Sequence, residues 1–208
     1  MQLRERFSIL CSKFTQHQNF IESLWTEIER KYSEKGRYYH NFEHLDNMFR
    51  ELDDVTAYLQ DYNAIAFSVF YHDVIYDASS KLNEEKSARF AEKQLQLIGT
   101  APEFIEKIDQ QIMATQFHKK SSDNDTDYLV DADLSILGQE PENYKHYTQK
   151  IRKEYSIYPD FLYKPGRKKV LRHVLESENI FKTEYFREKY EQQARKNILS
   201  EIEYLNLG

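Results

Sequence analysis

Tyr71-His72-Asp73-Val74-Ile75-Tyr76-Asp77 closes an apolar run, Ala64 to Phe70, in a chain of 208 residues. Ala64, Ile65, Ala66, Phe67, Val69 and Phe70 leave the run almost no polar face. The spacing predicts a helix over Asp61 to Asp77 in the middle of a bundle, with other helices around it. A His followed by an Asp at the end of such a helix needs an explanation, because burying an imidazole and a carboxylate costs several kcal/mol unless both are paired. A divalent cation satisfies both at once. A buried ion pair without metal is the alternative. The C-terminal end of this helix is therefore the expected floor of a pocket, and other segments must supply its remaining groups.

Composition narrows the fold. Glycine (5) and proline (4) are scarce, and sheets with their turns use both freely, so abundant Glu, Lys, Gln and Leu favour an all-α protein. Phe (13) and Tyr (16) make an aromatic-rich core, and a mean hydropathy of -0.81 reflects charged helix faces rather than disorder. The length suits one domain over residues 1–208. A net charge of -6 argues against coating a nucleic acid duplex. The single cysteine, Cys11, forms no internal disulfide and suits a reducing cytoplasm. Neither an export signal nor an apolar stretch of membrane-spanning length is read, so a cytoplasmic protein with no membrane partner is expected.

Apolar spacing predicts one or two helices over residues 3 to 32, ended by Lys35-Gly36, then a helix through Met48, Phe49, Leu52, Val55 and Leu59. His40 and His44 are four apart, which puts them on one face if both are helical. Asn83 is the expected N-cap of a helix through Phe90 and Leu95, and Pro102 opens the next. Gln116 to Asp127 reads as a polar surface loop. Tyr128 to Gly138 reads as a short buried helix with two aspartates inside it, Asp131 and Asp133, which also need partners. Helices follow over Pro141 to Tyr158, after the basic turn Lys164-Pro165-Gly166-Arg167, and over Glu184 to Leu207.

His44, His72, Asp73 and Asp133 form a mixed nitrogen and oxygen set suited to a hard or borderline divalent ion with open positions. In that order they resemble the HD-domain superfamily of metal-dependent phosphohydrolases. Tyr39-His40-Asn41-Phe42-Glu43-His44 is similar to the Tyr-His-Asn-x-x-His signature of its cyclic nucleotide phosphodiesterase branch, and Ala132-Asp133-Leu134-Ser135 to that branch's Ala-Asp-Leu-Ser segment. The likeness is greater to small stand-alone bacterial HD proteins predicted to be phosphohydrolases, through Arg37 to Asn41, His72 to Asp77, Asn83 to Ala88 and Asp131 to Leu134. The likeness covers about residues 37 to 138, with the helices in 141–207 expected to pack on that core. No counterpart of the phosphodiesterases' purine-clamping glutamine is found.

The resemblance implies a helical bundle of the HD type that hydrolyses a phosphate ester, a nucleotide or another small phosphorylated metabolite. It implies His44, His72, Asp73 and Asp133 as ligands of a divalent ion (Mn, Fe, Co, Ni, Zn or Mg), His40 as general acid and Asp73 as acceptor of the water proton. Asp131 and Asp133 lie about 200° apart around a helix, so one ion does not easily take both; the Ala-Asp-Leu-Ser match selects Asp133. Glu84, His118 and Arg37 are candidates for a second metal or a phosphate contact, and Lys119, Arg152 and Arg167 could reach an anion. His17, His146 and His173 are expected to be exposed and idle. The rival readings are a non-catalytic metal- or nucleotide-binding HD module and a di-iron HD oxygenase.

Overall fold

Helix α4, Tyr62–Tyr71, is buried along almost its whole length and packs chiefly on α1 (Leu3–Cys11), α3 (Phe42–Asp54), α5 (Asn83–Leu97), α6 (Pro102–Ala114) and α7 (Asn124–Leu134), with Tyr32 donating to its Phe70 carbonyl. A helix without a polar face has nowhere else to go. The buried Ser68 hydroxyl donates to Gln111 of α6 at 2.7 Å. Asp61 caps its first turn by accepting from the amide of Ala64. The computed structural model describes residues 1–206 and is all-helical among them; Leu207, at the end of the run expected to be helical, lies outside the described residues.

The other helices are α2 (Gln18–Tyr32), α8 (Pro141–Glu154), α9 (Asp160–Glu176) and α10 (Glu184–Tyr204), with short 3-10 turns at Thr56–Tyr58 and Ser135–Gly138. One buried apolar cluster runs from Leu3 to Leu205. Aromatic rings fill it around α4, with Phe7 edge-on to Phe70 at 5.1 Å and Trp25 stacked on Phe42 at 5.3 Å. Among the described residues no helix is long and apolar enough to cross a membrane.

Several boundaries differ from the sequence reading, each for a local reason. The helix expected through Asp77 stops at Tyr71. Beyond it, the carbonyls of Asp73 and Val74 accept from the Arg37 guanidinium at 2.6 and 2.9 Å, and the Ile75 amide donates to Ser87, so these groups are taken from the helical ladder. Asn83 does not cap α5: its amide exchanges two hydrogen bonds with the backbone of Asp77 and fixes that loop instead. Helix α7 begins at Asn124, inside the expected loop, because Asp123 caps it through the amide of Thr126. Helix α9 runs straight through Lys164-Pro165-Gly166. Pro165 forfeits a bond to the carbonyl of Phe161, which sits in the exposed first turn where water can replace it. Pro102 opens α6 as expected, and Gly36 turns the chain after α2 at φ +103°.

The Ser135–Gly138 turn packs on α10 so closely that a Cβ at Gly138 would stand 2.4 Å from Cβ of Tyr190. Gly138→Ala is expected to lower unfolding free energy in urea by about 1–3 kcal/mol. Gly166→Ala, mid-helix with nothing within 4 Å of its added methyl, is expected to raise it by about 0.5–1 kcal/mol. An unchanged Gly138 variant would show that the turn can back away from α10.

Candidate metal centre

Three separated segments converge beyond the end of α4. His44 lies in the first turn of α3, which starts where Asn41 caps it through the amide of Glu43. His72 follows directly on α4, and its Nδ1 faces the carbonyl of Val69 at 3.0 Å, so Nε2 is aimed away from its own helix. Asp133 comes from the last turn of α7, which packs on both α3 and α4.

The two Nε2 atoms of His44 and His72 are 3.2 Å apart, and Asp133 Oδ1 stands 3.2 Å from the first and 3.9 Å from the second. Asp73 Oδ2 is 3.1 Å from His72 Nε2 and 3.8 Å from His44 Nε2. The ligand atoms of His44, His72 and Asp133 all lie within 4.8 Å of one another; Asp73 flanks this tighter trio. Neighbouring ligands on an ion with bonds of about 2.1 Å stand about 3.0–3.4 Å apart. The spacing and the donor chemistry therefore fit a divalent cation. Both imidazoles are buried, and both carboxylates are mostly so.

Electrostatics follow from that enclosure. Burial pushes the His44 imidazole below its ordinary value against the opposing pull of Asp133. For His72 burial acts in the same direction, but Asp73 and then Asp133 outweigh it and raise the ring to about 9. Burial also opposes ionisation of Asp73 and Asp133; the facing histidines overcome it and hold both well below the usual carboxylate range.

His40 is not on the helix with His44. It precedes the Asn41 cap, with ring centroids 6.0 Å apart, and is held there by groups that local spacing does not reveal. Glu154, at the end of α8, accepts from the backbone amides of Tyr38, Tyr39 and His40 at 2.8, 2.7 and 2.9 Å through one oxygen, and its other oxygen meets His40 Nδ1 at 2.6 Å. Tyr76 stacks on the imidazole at 4.2 Å and donates to the same carboxylate at 3.0 Å. Burial disfavours the imidazolium, yet Asp73 and the bond to Glu154 raise the His40 pKa overall.

The remaining candidates separate clearly. His118 meets Asp133 Oδ2 at 2.8 Å from a backbone at φ +48°, a left-handed conformation uncommon outside glycine, and so joins the rim of the cluster. Glu84 is half-buried and raised by burial, with no hydrogen bond or ion pair to the cluster among the described residues. Arg37, expected as an anion contact, is instead buried and spends its guanidinium on the carbonyls of His40, Asp73 and Val74. Arg152 is held by Asp160, Arg167 by Glu201, and Lys119 is exposed beside Phe117. Asp131, the aspartate passed over, accepts from the amides of Lys182 and Thr183 and from the Thr183 hydroxyl, all at 2.7 Å. His17, His146 and His173 are exposed, although His146 lines a cleft next to the cluster.

Sequence reasoning missed Glu154 and Tyr76. Glu154 stands three residues after Ile151, on the inward stripe of α8, and a charge on such a stripe was the available signal. Compared with known protein families, curated proteins and solved structures, the chain finds no match.

A cation at this cluster would have to displace the proton from His72 Nε2, whose pKa, against burial, Asp73 and Asp133 raise to about 9. Apparent affinity for Mn(II) is therefore expected to rise about tenfold per pH unit from about pH 6 to about pH 8, with one proton released per ion. Calorimetry in buffers of different ionisation enthalpy reads both. A flat profile without proton release would remove His72 from the ligand set.

Proposed function

We propose that this protein is a metal-dependent phosphohydrolase of the HD type, acting on a small phosphate ester. The observation that carries the reading is the meeting of His44, His72, Asp73 and Asp133, from three separated segments, with nitrogen-to-oxygen distances of 3.1–3.9 Å beside a partly buried His40. A divalent cation held by these side chains supplies Lewis acidity that draws charge from the phosphoryl oxygens and acidifies water.

The chain's own groups account for the rest of the reaction. Asp73, kept ionised, accepts a proton from the attacking water as its oxygen bonds to phosphorus. His40 gives a proton to the ester oxygen as the phosphorus–oxygen bond to the alcohol breaks. Against burial, Asp73 and Glu154 raise its pKa and so favour the protonated ring. Glu154, engaged at Nδ1, fixes the ring so that Nε2 is the free nitrogen, which makes Glu154 a positioning residue.

Elemental analysis together with a panel of phosphate esters tests the reading. His72→Ala and Asp73→Ala are expected to lose metal and turnover together. His40→Ala is expected to keep its metal while kcat falls about 10²–10⁴-fold. Equal activity in the His40 variant would end its assignment as general acid. Bound metal with no turnover of any ester would favour a non-catalytic module, and two irons per chain an oxygenase.

In Glu154→Gln the imidazolium loses its partner charge, so the alkaline limb of the pH–rate profile, where His40 gives up its proton, is expected to move to lower pH. A limb that stays in place would detach Glu154 from the general acid.

A further inference from the structure

A cleft of about 470 Å³ opens onto His44 and Asp133, a size ordinary for a small-molecule site. One face of α3 brings Glu43, Asn47, Arg50 and Glu51 to it, and one face of α8 brings Asn143, His146, Tyr147 and Lys150. Both sets follow helical three-and-four spacing, so two polar helix faces are turned toward a shared space. Ser135 and Gln139 join them from the 3-10 turn and its exit.

The charges there are largely committed. Lys150 is held by Glu43 at 2.6 Å, and Glu51 takes Lys189 at 2.8 Å and the Tyr190 hydroxyl at 2.6 Å. Arg50 contacts only the Asn47 amide among its side-chain partners within the described residues. One arginine beyond the metal ligands suits a monoester and falls short of the several cations that a di- or triphosphate chain requires.

Ring faces are committed as well. Tyr147 has the Arg167 guanidinium over its ring at 5.4 Å and Tyr39 against it at 4.7 Å. Tyr190 carries Lys189 at 5.1 Å and packs on Phe186 at 6.0 Å, and Tyr39 lies against His44 at 4.9 Å. A nucleobase is gripped chiefly by stacking on an open aromatic face; of the three tyrosines that line the cleft, Tyr39 and Tyr190 are buried and Tyr147 is half-buried between Arg167 and Tyr39. What the lining does offer is the Asn143 amide and the Ser135 hydroxyl, which make no side-chain hydrogen bond among the described residues and are the partners that alcohol groups need.

We propose that this cleft takes the monophosphate of a small, hydroxyl-rich alcohol, a sugar or polyol phosphate, in preference to a nucleotide. The assignment rests on the phosphohydrolase reading for the seat of the phosphate at the His44 and Asp133 end; its selectivity comes from the cleft walls.

The test measures affinity of the Mn(II)-loaded protein for a hexose phosphate, glycerol phosphate and adenosine monophosphate, from calorimetry where an ester is not turned over and from kcat/KM where it is. Phosphate release from para-nitrophenyl phosphate is followed in parallel. The hexose or glycerol ester is expected to be preferred over the nucleotide by at least about tenfold. Asn143→Leu, at an exposed helix position, is expected to cut that preference about tenfold, the loss of roughly one hydrogen bond. A nucleotide bound as well or better, or neither ester bound, overturns the proposal. Turnover of para-nitrophenyl phosphate without a sugar preference keeps the hydrolase reading and ends this one. A sugar preference without turnover of any ester does the reverse.

Discussion

The absence of a polar face on α4 organises everything else. Its residues Ala64 to Tyr71 are all buried, so other helices must surround it. Where such a helix stops, its last carbonyls and the side chains that follow are still deep inside the protein and cannot turn to water. The groups found there meet that demand in two ways. His72, Asp73, His44 and Asp133 face one another across distances of 3.1–3.9 Å, and Arg37 takes up the carbonyls of Asp73 and Val74. A site at this position follows from helix packing before any chemistry is invoked.

Two long-range clamps then fix the loops on either side. The Arg37 guanidinium ties the segment before α3 to the segment after α4, and Glu154 gathers three consecutive amides of that first segment around one carboxylate oxygen. Charge-assisted bonds of this kind are among the stronger hydrogen bonds in proteins. They set the position of His40, which no helix supports, and they do so from residues far apart in sequence. Burial of both partners makes the clamps rigid, because losing either one strands the other without solvent.

What the sequence made legible follows the same division. An apolar run ended by His72-Asp73 and Pro102 at a helix start are local patterns, and each corresponds to what the fold contains; of the two aspartates, Asp133 is the one that lies beside His44 and His72. The roles of Arg37 and Glu154 are set by partners 36 and 114 residues away, and spacing along one helix carries no sign of them. Arg37 looked like an anion contact because a cation beside a His-rich motif is ambiguous until its burial is known. Asn83 and Pro165 show the converse. Each carries a strong local signal, for a cap and for a break, and in each case structural context prevailed: the Asp77 loop claimed the amide of Asn83, and the carbonyl that Pro165 leaves unbonded falls in the exposed first turn of α9.

Helix α8 joins the two halves of the proposed site. Its last residue, Glu154, holds His40, while Asn143, His146 and Lys150 of the same helix line the cleft. Its closest packing is on the Ser135–Gly138 turn, and polar bonds secure it along its length: Tyr144 to Glu201, Lys150 to Glu43, Glu154 to the amides of residues 38–40. An element held chiefly by polar bonds can be displaced with less loss of apolar contact than α4, which is locked on every side. A molecule seated in the cleft and bonded to Asn143 or His146 would act on the same rigid rod that orients the His40 ring. In the proposed reaction, recognition of the alcohol and delivery of the proton to its oxygen would be mechanically linked through one helix.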